Sequence, residues 1–220
     1  MTTLMSYLAG FGLATGVGAK AFIPVLILGG FHHTPYFELS PRWSWIADPL
    51  VMGILAVLVV AEILVDSVPE LAEYADLVSY LPKFVVGFIA FAAVTGSVDQ
   101  DLLELTGSGL LGSTTATGVH FVRTKVRRPW RDTFETVHSS FGRVASVSEA
   151  GVSATLSGAS VLAPPLAFVF AGVGAFAAWG VWRFAGNRNP ACPQCGGTVH
   201  RDALVCPHCR AELTPFGSHS

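Results

Sequence analysis

Residues 4–30 read LMSYLAGFGLATGVGAKAFIPVLILGG, and the rest of the chain is arranged around them. The segment is long enough to cross a bilayer as a helix, unusually rich in glycine, and carries one cation, Lys20. Gly10, Gly12, Gly16, Gly18, Gly29 and Gly30 permit close helix contact and, together with Pro24, a bend or a break. Its central tetrapeptide, Ala14-Thr15-Gly16-Val17, recurs letter for letter at Ala116–Val119. That recurrence points to two related halves.

Composition sets the frame. Of 220 residues, 51% are hydrophobic and 13% charged, and mean hydropathy is +0.55. Soluble domains average about 25% charged residues, so too few are present here to clothe a globular surface. A formal net charge of -2 argues for no particular partner, and without a broad basic field no nucleic acid is expected. The first segment has no basic leader before it and no small-residue cleavage pattern before Lys20, so it reads as a retained membrane helix.

Five more segments follow. Two tryptophans, Trp43 and Trp45, stand ahead of Pro49–Val65 as an aromatic interface anchor, and that run is interrupted only by Glu62. In the loop before it, adjacent His32 and His33 are a poor metal pair, since neighbours rarely aim both rings at one ion. Leu81–Val98 opens with Pro82 and with Lys83 placed to snorkel. Gly107–Val122 has the Ser, Thr and Gly content of a helix inside a bundle. A basic loop follows, Arg123 to Arg143, then Ser148–Ala163, short and small-residue-rich, and finally Pro164–Phe184. The fold expected is an all-α polytopic membrane protein. It has about six transmembrane or membrane-embedded helices in an inverted 3+3 repeat, with halves 4–98 and 105–186. Lysine and arginine asymmetry keeps the basic loop in the cytoplasm. This gives a multi-pass protein of a bacterial cytoplasmic (inner) membrane with both termini cytoplasmic. Whether 148–163 fully spans is left open.

Four groups at membrane depth require explanation: Lys20, Glu62, Asp66 and His120. Glu62 and Asp66 are four apart on one helix face, so an ion pair from either to Lys20 satisfies all three. The pair reads either as an architectural bridge or as part of an ion or proton pathway. His120 reads as a packed histidine ahead of a relay. No nucleophile elbow or phosphate-binding loop is present, and no enzyme activity is expected.

After a linker at 187–191 the composition changes. Cys192-Pro-Gln-Cys195 and Cys206-Pro-His-Cys209 form two Cys-x2-Cys pairs, and all four cysteines of the chain lie in them. Two such knuckles can close a sulfur tetrahedron, so residues 192–213 read as a small β zinc ribbon holding one structural Zn2+. Thr198–His200 and Ala203–Val205 would be its strands. Free thiolates agree with a cytoplasmic position.

The membrane part resembles the bacterial family of small integral membrane proteins numbered 4126 among the domains of unknown function, over about residues 4–186. The likeness rests on Gly18-Ala19-Lys20-Ala21-Phe22-Ile23-Pro24, with arginine usual in the family at the Lys20 position. It rests also on Glu62, Asp66, Val68-Pro69 and Asp76 ahead of Pro82 and Gly87, and on Ser148-Glu149. Ser67 stands where a lysine is common, and Ala72 and Ala150 where acids are common. The resemblance implies a shared polar feature at Lys20, Glu62 and Asp66 and carries no chemistry with it. Two functions compete on these grounds. One is a small transporter or channel-like protein with Lys20, Glu62 and Asp66 as its internal site. The other is a non-catalytic membrane scaffold or anchor, embedded in the lipid bilayer, whose ribbon binds a cytoplasmic protein.

Overall fold

The computed structural model describes residues 3–96, 102–134, 141–185, 192–197, 199 and 204–213. The chain divides into two compact units, Met1–Ala178 and Trp179–Ser220. Eight α-helices and one 3-10 turn (Ser44–Ala47) appear among the described residues: α1 (Thr3–Ala19), α2 (Ile23–His32), α3 (Pro49–Asp66), α4 (Pro69–Val78), α5 (Tyr80–Thr95), α6 (Leu102–Phe134), α7 (Phe141–Leu162) and α8 (Pro164–Ala185).

Residues 4–30 are two helices, with the break at Lys20–Phe22. Lys20 N–H still bonds to Gly16 O at 2.9 Å, and the next helical bond runs from Leu26 N–H to Phe22 O. Pro24, with no N–H, cannot donate the bond to Lys20 O that would have joined the two. The segment therefore breaks where its cation sits.

α1 lies at the centre, against α5, α6 and α7. Small residues make this possible. Ser153 Oγ on α7 donates to Gly16 O at 2.9 Å, and a Cβ on Gly18 would stand 2.8 Å from Ala116 O. Gly18, next to the first Ala-Thr-Gly-Val, thus meets the second copy across the α1–α6 contact. α5 and α6 are held closer still, since a Cβ on Gly87 would lie 2.7 Å from the Ala116 methyl and 2.8 Å from Gly112 O. The apolar core around this crossing includes Leu13, Val17, Leu28, Val86 and Ala90.

The six-crossing fold does not hold. Among the described helices α3 alone is long and apolar enough to cross a bilayer. α1, α2, α5 and the apolar part of α8 (Pro164–Gly174) are shorter. Breaking residues 4–30 in two removes one expected crossing, and α6 and α7 fail on polarity. The 3+3 repeat goes with it, because five helices fall in the first half and three in the second. So does the multi-pass inner-membrane placement, with the count of crossings that had set both termini in the cytoplasm.

Two local expectations change as well. The basic loop from Arg123 is helix as far as Phe134, and Pro129 lies inside that helix. Trp43 is core rather than an interface anchor, while Trp45 is exposed. His32 and His33 shape the loop between α2 and α3: His32 Nδ1 accepts from Leu39 N–H, and His33 Nε2–H donates to Ala47 O, each at 3.0 Å.

In the second unit no β-strand occurs among the described residues. An isolated antiparallel bridge joins Val205 to Glu212, so among the described residues the expected β ribbon is reduced to that bridge. The strand expected at Thr198–His200, apart from Val199, and Ala203 of the other lie outside the described residues.

Candidate functional site

Two clusters concentrate the polar chemistry. The first is buried in the helical unit at the α1–α2 break. Lys20 is fully buried, and its Nζ donates to Asp66 Oδ2 at 2.6 Å and to Ser146 Oγ at 3.0 Å. Breaking the helix at residues 20–22 frees backbone donors, and the Ala21 N–H bonds to Glu62 Oε1 at 2.9 Å. Glu62 and Asp66, one turn apart on α3, thus share the task. One takes the lysine and the other caps the broken backbone.

Asp66 also accepts from Arg123 on α6 at 2.9 Å. Arg123 reaches Glu149 on α7 at 2.5 Å and approaches Asp76 on α4 at 3.8 Å. Burial works against the Arg123 charge, yet the Glu149 and Asp66 carboxylates more than offset it and raise its pKa. One guanidinium therefore ties α3, α4 and α7 to α6. A planar fork with five donors can do this, whereas a lysine cannot. Glu62 Oε2 and Arg123 Nε are buried without a hydrogen-bond partner among the described residues.

His120 is buried next to this group, and its hydrogen bonds run to Asp76 and Lys83. Its Nε2–H donates to Asp76 O at 2.9 Å, so Nδ1 faces Lys83 Nζ at 2.8 Å as the acceptor. The Tyr80 ring meets the imidazole edge-on at 4.6 Å. Burial pushes Lys83 down to about 7, with the Arg123 charge adding to the effect, against opposition from Glu62 and Asp66. Burial and then the Lys83 charge hold His120 at about 4.

Sequence reasoning named Lys20, Glu62, Asp66 and His120, and the fold brings the first three together. It missed Arg123, Glu149, Ser146 and the buried position of Lys83. Arg123 had a signal: it lies one turn beyond His120, in step with buried Ser113, Ala116 and His120. Ser146 and the depth of Lys83 had none, since both depend on which helices meet.

The second cluster is the cysteine unit. Cys192, Cys195, Cys206 and Cys209 place their sulfurs within 4.8 Å of one another. Two knuckles build it by the same bonds. Cys192 N–H bonds to Gly197 O and Gly196 N–H to Cys192 O, while Cys206 N–H bonds to Ala211 O and Arg210 N–H to Cys206 O. The residue after each second cysteine turns left-handed, Gly196 at φ 70° and Arg210 at φ 58°. Glycine adopts this freely and arginine does not. The sulfurs are free thiols. Cys192 to Cys209 and Cys195 to Cys206 are each 3.7 Å apart. A disulfide needs about 2.05 Å. A tetrahedral thiolate site with bonds of about 2.3 Å spaces its sulfurs by about 3.8 Å. The donor set therefore fits a metal ion.

Residues 7–184 match the family described as Domain of unknown function (DUF4126). The chain belongs to this family. The DUF4126 region contains the whole buried polar cluster and stops short of the cysteines, which are an addition to it. No curated protein and no solved structure matches the chain.

Proposed function

We propose that this DUF4126 protein is a non-catalytic scaffold: a helical bundle that anchors to lipid and carries a zinc-binding module for docking another protein. The observation that carries the reading is the four-sulfur cluster, whose spacing suits a tetrahedral Zn2+ bound by thiolates. Cys192, Cys195, Cys206 and Cys209 would hold the ion, and its role there is structural. Among the described residues of this unit those buried are Cys192, Val199, Cys206 and Leu213, a small core to hold a fold without metal. Transport is set aside with the six-crossing fold. Lys20 is satisfied inside protein, as a bridge between helices requires and a water-facing site does not.

Support for the anchor comes from α3. It spans about 27 Å at 1.5 Å per residue, close to the hydrocarbon thickness of a bilayer. A core helix of the same composition would be covered, but only 6% of this one is buried, and Leu50, Ile54, Val57 and Leu64 are exposed. Vesicle flotation of the full chain tests it. Wild type floats with the lipid, and Val57→Asp with Leu64→Asp releases it. Metal analysis tests the module, with one zinc per chain expected and none after Cys192→Ser with Cys195→Ser. A metal-free wild type would remove the module from the proposal, and unchanged flotation would remove the anchor.

A further inference from the structure

The scaffold reading makes no use of Lys83 and His120, although both are among the largest fully buried side chains in the chain. They are two bases in direct contact, Nζ to Nδ1 at 2.8 Å. No carboxylate is hydrogen-bonded to either among the described residues, a costly arrangement unless one proton serves both.

Geometry restricts how the proton is held. His120 Nε2 faces the Asp76 carbonyl, which can only accept, so Nε2 carries a hydrogen in every state. Nδ1 must therefore accept from Lys83 while the ring is neutral. If the ring takes a second proton, Nδ1–H points at an ammonium. Two donors and two positive charges then share one contact; the contact cannot persist, and because one rigid ring bridges Lys83 and the Asp76 carbonyl, a ring driven off Lys83 is also displaced from Asp76.

We propose that Lys83 and His120 form a single proton-binding site that latches α4 onto α5 and α6, and that a second proton opens the latch. α4 is the element to move. Its buried polar residue, Asp76, is held twice from α6, by His120 on its carbonyl and by Arg123 on its carboxylate, while Leu71, Tyr74 and Leu77 are exposed. The charged and titratable groups facing the pair are Asp76 on α4, Tyr80 on α5, Arg123 on α6, Glu62 and Asp66 on α3, and Lys20 at the end of α1. Burial, Lys83 and Arg123 oppose the second proton on His120, and the Asp76 carbonyl and Asp66 favour it, so the latch stays closed until acid overcomes burial.

The linkage has a definite sign. His120 has a folded pKa below its ordinary 6.5, so the unfolded or opened chain binds the proton more readily. Stability from this group is complete above pH 6.5 and is lost as pH falls toward about 4. Lys83 acts in the same direction at higher pH, losing stability from 10.5 down to about 7.

The test is 15N-histidine NMR on the full chain, with the His120 signals assigned by their loss in His120→Gln. A neutral ring with its proton on Nε2, persisting below pH 6.5, is expected. In Lys83→Met and in Lys83→Gln the His120 titration moves up by about one unit or more, a tenfold change in proton affinity. Amide exchange of α4, corrected for intrinsic rates, accelerates about tenfold or more from pH 6.5 toward 4 in wild type and stays flat in His120→Gln. A ring protonated on Nδ1, or a titration unmoved in both lysine variants, would overturn the shared proton. Equal loosening of α4 in His120→Gln would overturn the latch.

Discussion

The two polar clusters solve opposite problems. In the helical unit Lys20 and Arg123 are buried against Asp66, Asp76 and Glu149, and each charge finds its partner within the same unit. In the cysteine unit four donors converge on a common centre and face one another rather than a protein cation. The first cluster neutralises its cations with its own carboxylates, while the second has the donor set and spacing to hold an ion. A polar site closed on itself serves architecture, whereas one that converges on a centre serves binding.

Replacing Cys192 and Cys195 by serine gives the largest effect and the sharpest break in the comparison. Zinc should be lost entirely and the cysteine unit should unfold, while thermal unfolding of the helical unit stays where it was. A matching fall in the helical transition would show that the two clusters are not independent. Arg123→Met comes next. It removes the cation that Asp66, Asp76 and Glu149 share, and removing one partner of a buried pair costs about 3–5 kcal/mol. Denaturant titration of the full chain measures it, and a cost below 1 kcal/mol would mean the guanidinium is not the tie between helices.

Lys20 allows a finer test. Lys20→Met and Asp66→Asn should be non-additive by about 0.5–3 kcal/mol in a double-mutant cycle, since they are in contact at 2.6 Å. The cycle with Glu62→Gln should show a smaller coupling, because Glu62 holds the Ala21 backbone instead. Equal couplings would return the lysine to both acids. The smallest effect is expected at Arg210. Arg210→Gly relieves a left-handed residue of about 1 kcal/mol, read as greater resistance of the zinc-loaded unit to a chelator. Lower resistance would mean that the arginine side chain contributes more than its backbone costs.

Much of this was legible along the chain. Cys-x2-Cys twice over announces a sulfur tetrahedron, because the spacing itself bends each knuckle. Glu62 and Asp66 on one face, with a cation in the glycine-rich segment, announced a buried pairing. Hydropathy misled where it averaged. Residues 4–30 are apolar throughout, yet the segment breaks at Lys20, since a proline without N–H and a cation with a partner elsewhere outweigh average hydrophobicity. Arg123 shows the same failure from the other side. It stands in a run of basic residues that reads as loop, but α6 continues through it and turns its guanidinium inward.

The sequence by itself determined the cysteine donor set, the family, the small-residue faces and the need for a partner to Lys20. Local spacing and composition carry all of these. Only the tertiary structure decided that Asp66 takes the lysine and Glu62 the broken backbone, that Arg123 joins three helices, and that Lys83 meets His120. Those choices depend on which helix faces are brought within about 3 Å, and no spacing along one chain segment encodes a contact between two.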